Sequence, residues 1–153
     1  MSVAESGLRP GEEAVETPLD FHAGLWFVGR IETPWQSRAE CPRRGDPEAG
    51  PVCRVSVFEP WVAALDGLED GGRWLQILYF MHEARRDLVR QNPRHEGRLL
   101  GTFALRSPVR PNPIASSLVM LVERDGATLH VRGLDCVNGT PLIDIKPERC
   151  PRA

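Results

Sequence analysis

The side chains best suited to chemistry in this chain are arginines. Residues 82–110 hold seven of them, Arg85, Arg86, Arg90, Arg94, Arg98, Arg106 and Arg110, against Glu83, Asp87 and Glu96. Guanidinium groups grip phosphate and carboxylate bidentately. The same run serves equally as a solvated face. Arg106 and Arg110 stand four apart in RSPVRPNP, where one can orient a substrate and the other brace the loop. Histidine changes charge near neutral pH. That makes His82, at the end of RWLQILYFMH, the candidate base or strand-end hydrogen-bond partner. Asp144 and Lys146, the only lysine, lie two apart and so share a strand face. The bland reading of Asp144 is a structural network with Arg110. Trp35 lies in a loop, where it can stack on a base or join the core. Trp26, Trp61 and Trp74 sit in apolar contexts and read as core. His22, His95 and His130 are too dispersed for a metal site. Cys41, Cys53, Cys136 and Cys150 show no CxxC spacing and read as free thiols.

Elements must position these groups. The 153 residues suffice for one domain with a real core. Apolar residues make up 41% and charged residues 26%, with a net charge of −2. No apolar run approaches the roughly 20 residues of a membrane span, and no leader-like segment opens the chain. The expectation is a cytoplasmic protein. Residues 1–20 carry Glu5, Glu12, Glu13, Glu16 and Asp20 against Arg9, and read as an acidic flexible tail or arm. Residues 21–150 read as the folded domain. Within it, Leu25–Glu32, Val52–Glu59, Arg73–His82 and Leu99–Ser107 are strand candidates. Thr33–Pro51 is a long Pro- and Gly-rich loop, and such loops usually serve a ligand. A short helix after Pro60 has Trp61, Ala64, Leu65 and Leu68 on one face. A second short helix and a loop are expected in EARRDLVRQNPRHEGR. Asp125-Gly126 marks a hairpin turn, and Val137–Thr140 a turn before the last strand, PLIDIK. Strand-to-helix glycine motifs of dinucleotide folds are missing. The sum is a mostly-β, small single-domain barrel with one or two short helices and long loops.

Longer motifs narrow this further. GTFALRSPVRPNPIASSLV and RGLDCVNGTPLIDIKP closely resemble the TsaA-like (YaeB/TrmO) family. VGRIETPWQSR, CPRRG and LQILYFMHE resemble its opening strand, its Pro-Arg-Gln loop and its aromatic strand ending in His-Gln. The resemblance covers residues 26–147. It implies a small β-barrel and a homodimer that uses S-adenosylmethionine (SAM). It also implies methylation of N6 of N6-threonylcarbamoyladenosine at position 37 of tRNA. Carried over by motif, the cofactor contacts fall on Pro42, Arg43 and Arg44, on His82 and Glu83, on Arg106 and Leu118, and on Asn138, Gly139, Thr140 and Pro141. His82, Arg106 and Arg110 are the implied catalytic group. Arg85, Arg86, Arg90, Arg94 and Arg98 form the implied tRNA surface, with no membrane contact.

Four residues depart from the family pattern. Arg44 and Glu83 replace glutamines, Asn138 replaces aspartate, and Ala115 stands where glycine is common. Arg44 and Glu83 can exchange an amide contact for a charged pair. Asn138 keeps the turn geometry without a carboxylate. No C-terminal tRNA-binding domain is expected. Two other readings accompany the first: a methyltransferase of the same fold with another small-molecule or RNA substrate, and a non-catalytic SAM-binding dimer.

Overall fold

The computed structural model describes residues 7–93 and 97–148. Six strands close into a barrel in the order β2-β3-β8-β7-β4-β9. They are β2 (Gly29–Glu32), β3 (Cys53–Val57), β4 (Trp74–Phe80), β7 (Ile114–Asp125), β8 (Thr128–Arg132) and β9 (Thr140–Pro147). Three shorter strands, β1 (Glu13–Ala14), β5 (Leu88–Gln91) and β6 (Leu100–Gly101), make a separate sheet in the order β1-β5-β6. The chain comprises two compact units. One is Leu25–Phe80 with Ser116–Ala153, and the other is Met1–Gly24 with Met81–Ala115.

The barrel follows from period-two patterning. In β4, Leu75, Ile77 and Tyr79 are buried while Trp74, Gln76 and Leu78 are not. Ile31, Val55, Val119, Leu121, Leu129, Val131 and Leu142 are fully buried with Leu75 and Ile77. Side chains of this size contribute about 1.5–3 kcal/mol each on burial. Closure also removes sheet edges that would otherwise leave backbone groups unpaired. The hairpin between β7 and β8 pairs Asp125 with Thr128 around Gly126, whose φ is +60°. Gly126 supplies the left-handed backbone that this turn needs.

The second unit is held by long side chains. Buried Gln91 donates to Thr102 Oγ1 at 2.9 Å and to the Val109 carbonyl at 2.7 Å. Thr102 donates in turn to the Leu88 carbonyl at 2.8 Å. β1 pairs Glu13 with Arg90. Part of the stretch read as a flexible tail is therefore bonded in place.

Several sequence expectations need correction. Among the described residues of 83–98 no α-helix forms; Leu88–Gln91 is strand β5 instead, because β1 and β6 both pair with it. The helix after Pro60 is one 3-10 turn, Val62–Leu65, with Ala64 exposed. The strand expected at Leu25 starts at Gly29, and the one at Leu99 shrinks to two residues before a 3-10 turn, Thr102–Ala104. Trp26 is not core: it is 76% exposed and tilts against Trp61, ring centroids 6.0 Å apart. Among the described residues no helix is long and apolar enough to cross a membrane.

Candidate functional site

In the barrel unit, the turn after Cys136 is stitched to the chain leaving β2. Thr33, 7% exposed, is the knot. Its hydroxyl donates to the Cys136 carbonyl at 2.7 Å, and its N–H donates to Asn138 Oδ1 at 3.1 Å. Asn138 N–H reaches the Trp35 carbonyl at 2.7 Å, and Gly139 N–H reaches the Ile31 carbonyl at 2.8 Å. Gly139 has φ +87°, and the Arg30 guanidinium packs over it. Only glycine takes that backbone without strain. Thr140 Oγ1 donates to the Val137 carbonyl at 2.6 Å, and Thr140 opposite Ile31, then Pro141 opposite Arg30, begin the pairing of β9 with β2. The segment Asn138–Pro141 is thus rigid before any ligand arrives.

The loop Thr33–Pro51 is also held by its own groups. Glu40 accepts the N–H groups of Gln36 and Ser37 at 2.6 and 2.9 Å. Asp46 accepts those of Glu48 and Ala49, and these bonds hold its carboxyl below the usual carboxylate range. Arg132 donates to the Gly50 carbonyl at 2.6 Å. A Cβ on Gly45 would strike the Gly133 carbonyl, and one on Gly133 would lie 2.7 Å from the Leu118 carbonyl. Pro42, Arg43 and Arg44 are exposed at the loop surface between these ties. Neither Arg43 nor Arg44 makes a hydrogen bond or ion pair with a described residue, so both can meet an incoming anion.

Sequence reasoning missed a polar cluster in this unit. Tyr79 donates to Asp135 Oδ1 at 2.8 Å and lies 2.8 Å from Ser117 Oγ. Burial pushes the Tyr79 phenol far above its ordinary value, and the Asp135 charge adds to this. Burial likewise pushes the Cys136 thiol up to about 12. Cys41 rises through burial and then through the charge of Asp135. These thiols are therefore protonated at neutral pH. The available signal was Asp135 itself, a charge between apolar Leu134 and Cys136.

The other unit holds the remaining predicted residues. His82 Nε2 lies 3.8 Å from Glu83 Oε1, both exposed. Glu83 thus faces its own neighbour. The backbone of Met81 donates to the Pro113 carbonyl at 2.8 Å, which ties the His82 turn to the proline segment. Arg110 donates to the carbonyls of Leu105 and Ser107 at 2.9 and 3.1 Å, the bracing role. Arg106 is exposed. In the barrel unit, Asp144 accepts its neighbour's N–H, that of Ile145, at 2.8 Å. Of the expected tRNA surface, Arg85 is bound to Asp87 at 2.7 Å and Arg90 to Glu13 at 2.6 Å. Arg86 donates to the Pro111 carbonyl at 2.6 Å and to Asn112 at 3.0 Å. Arg98 is exposed, and Arg94 lies outside the described residues.

Residues 30–149 match the family of the tRNA-methyltransferase O (TrmO) N-terminal domain. The chain belongs to this family. It is 51% identical over 142 residues to a probable S-adenosyl-L-methionine-binding protein, VirR, of Rhizobium radiobacter, covering 93% of this chain and 80% of that one. A tRNA (adenine(37)-N6)-methyltransferase of Rattus norvegicus is 32% identical over 78% of this chain and 29% of its own length. A crystal structure of TrmO from Pseudomonas aeruginosa superposes with a TM-score of 0.66 at 30% identity, covering 88% of this chain. This chain spans 57% of that TrmO chain. In TrmO terms, the predicted cofactor residues divide between the units. Pro42–Arg44, Leu118 and Asn138–Pro141 belong to the barrel unit, and His82, Glu83 and Arg106 to the other.

Proposed function

We propose that this chain is a SAM-dependent methyltransferase of tRNA, acting on N6 of N6-threonylcarbamoyladenosine at position 37. The preorganised turn Asn138–Pro141, knotted through Thr33 in a chain of the TrmO family, is the observation that carries this reading. The names of its relatives support both the cofactor and the adenine at position 37.

The donor set of the barrel unit fits SAM. Arg43 and Arg44 offer uncommitted guanidinium groups for a carboxylate. The Asn138–Pro141 turn and the glycine-tied loop offer fixed backbone groups, which lose little entropy on binding. When bound, SAM supplies an electrophilic methyl group. The chain's part is to hold the acceptor in line with it, and orientation of this kind supplies much of a barrier reduction. Arg110 stiffens the proline segment, Arg106 presents a charge from that segment, and His82 can take or relay the proton that N6 sheds.

The working unit is a homodimer in this reading. Exposed Leu25, Trp26, Phe27 and Phe58 support an interface with a second copy. A cytoplasmic location belongs to the same proposal. Calorimetry with SAM tests the cofactor; no binding at high micromolar SAM rejects methyl transfer. Mass spectrometry of tRNA nucleosides from a deletion strain tests the acceptor. An unchanged level of methylated N6-threonylcarbamoyladenosine rejects it. Several relatives are named for SAM binding alone, which favours a non-catalytic SAM-binding dimer as the second reading. Binding without turnover on tRNA selects it.

A further inference from the structure

The acidic arm on the second unit engages the very arginines that a nucleic acid would use. Residues 7–24 hold Glu12, Glu13, Glu16 and Asp20 against Arg9. Both carboxylate oxygens of Glu13 accept from Arg90 Nη1, at 2.8 and 2.6 Å. The Arg86 guanidinium carbon lies over the Phe21 ring, 4.8 Å from its centroid, a cation–π contact. The arm's backbone is docked as well. Val15 N–H donates to the Asp87 carbonyl at 2.8 Å, and Glu12 accepts the Asn92 N–H at 3.0 Å.

Each of the two side-chain contacts has a nucleic-acid counterpart. A carboxylate on Arg90 stands where a phosphate would sit. An aromatic ring on Arg86 stands where an unstacked base would lie, since single-stranded RNA is read by stacking on guanidinium planes and by phosphate contacts. The contacts are also exchangeable. The Glu13–Arg90 pair is about half-exposed on both sides, and Phe21 is 78% exposed. Exposed ion pairs are weak because water screens them. The arm's strand is only two residues long. Such a segment competes by being tethered, which keeps its local concentration high.

We propose that residues 7–24 occupy a single-stranded RNA site centred on Arg86 and Arg90, and that RNA displaces them. Arg98, exposed and without a hydrogen bond or ion pair to a described residue, is the part of the site left open for first contact. This rests on the RNA-methylation reading and names the surface that it requires.

The test is fluorescence anisotropy with a labelled tRNA anticodon stem-loop. It compares the full chain, a chain lacking residues 1–24, and full-length Glu13→Gln and Phe21→Ala. SAM affinity is measured on the same preparations. The deletion is expected to bind RNA about tenfold more tightly at low salt, with a salt slope steeper by about 0.7 for each phosphate gained. The point variants are expected to give part of that gain, and Arg90→Gln in the deletion to remove it. Unchanged or weaker RNA binding by Glu13→Gln and Phe21→Ala, with SAM binding intact, overturns the proposal. So does an absence of RNA binding in every form. Loss of SAM binding in the full chain strikes the methyltransferase reading instead, so the two fail separately.

Discussion

The N–H of Thr33 donates to the side-chain oxygen of Asn138 across 105 positions of chain, at 3.1 Å. The aspartate usual in the family could accept the same bond. Asn138 therefore serves the turn as an acceptor, and its substitution conserves what the turn needs. Thr33→Val would leave the Cys136 carbonyl without its hydroxyl donor in a buried place. A loss of about 2 kcal/mol is expected in urea unfolding, within the usual range for an unsatisfied buried group. Asn138→Ala should destabilise in the same direction, while Asn138→Asp should be nearly neutral. A Thr33→Val protein as stable as the parent would show that the knot is slack.

Gly45 meets Gly133 where no Cβ fits. Gly45→Ala should force the loop away from the barrel wall at a cost of about 1–3 kcal/mol, as overpacking does. Trypsin should then cut at Arg43 and Arg44 faster, with SAM affinity falling several-fold. Cleavage at the parental rate would refute the tie.

Arg43→Ala should weaken SAM binding about tenfold, since a charge-assisted contact contributes about 1.5–3 kcal/mol. Arg44→Gln, which restores the common family residue, should keep the affinity. Calorimetry on both variants decides, and equal affinity for Arg43→Ala and the parent would reject the loop assignment.

Tyr79 is the only tyrosine. Its folded pKa is raised, so the folded state keeps the proton longer than the unfolded one. Its contribution to stability is full below an unfolded value of about 10 and declines as pH rises above it. Absorbance at tyrosinate wavelengths should stay flat through pH 10–11 and rise only as the chain unfolds. Tyr79→Phe should flatten the alkaline limb of stability. A tyrosinate signal at pH 10 in folded protein would contradict the burial.

What the sequence made legible was local. The alternation of β4, the Asp125-Gly126 turn and the stiff RSPVRPNP segment are each written within a dozen residues. What it hid was made by partners far along the chain. Leu88–Gln91 is a strand because β1 and β6 flank it, although Arg85, Arg86 and Asp87 ahead of it look equally helical. Trp26 looks like core by type, yet it lies outside the barrel. Thr33 gave no sign of its role, because its bonds reach to Cys136 and Asn138. For the candidate site, the motifs nominated the residues. Only geometry divided them into braces such as Arg110 and uncommitted groups such as Arg43.

β4 and β7 are hydrogen-bonded neighbours in the barrel, yet Met81–Ala115 intervenes between the end of one and the body of the other. The excursion leaves and rejoins the wall at adjoining strands. Loop entropy grows only with the logarithm of length, so barrel closure hardly registers how long the excursion is. Outside the RSPVRPNP segment this stretch could then change length while every register of the wall stays fixed.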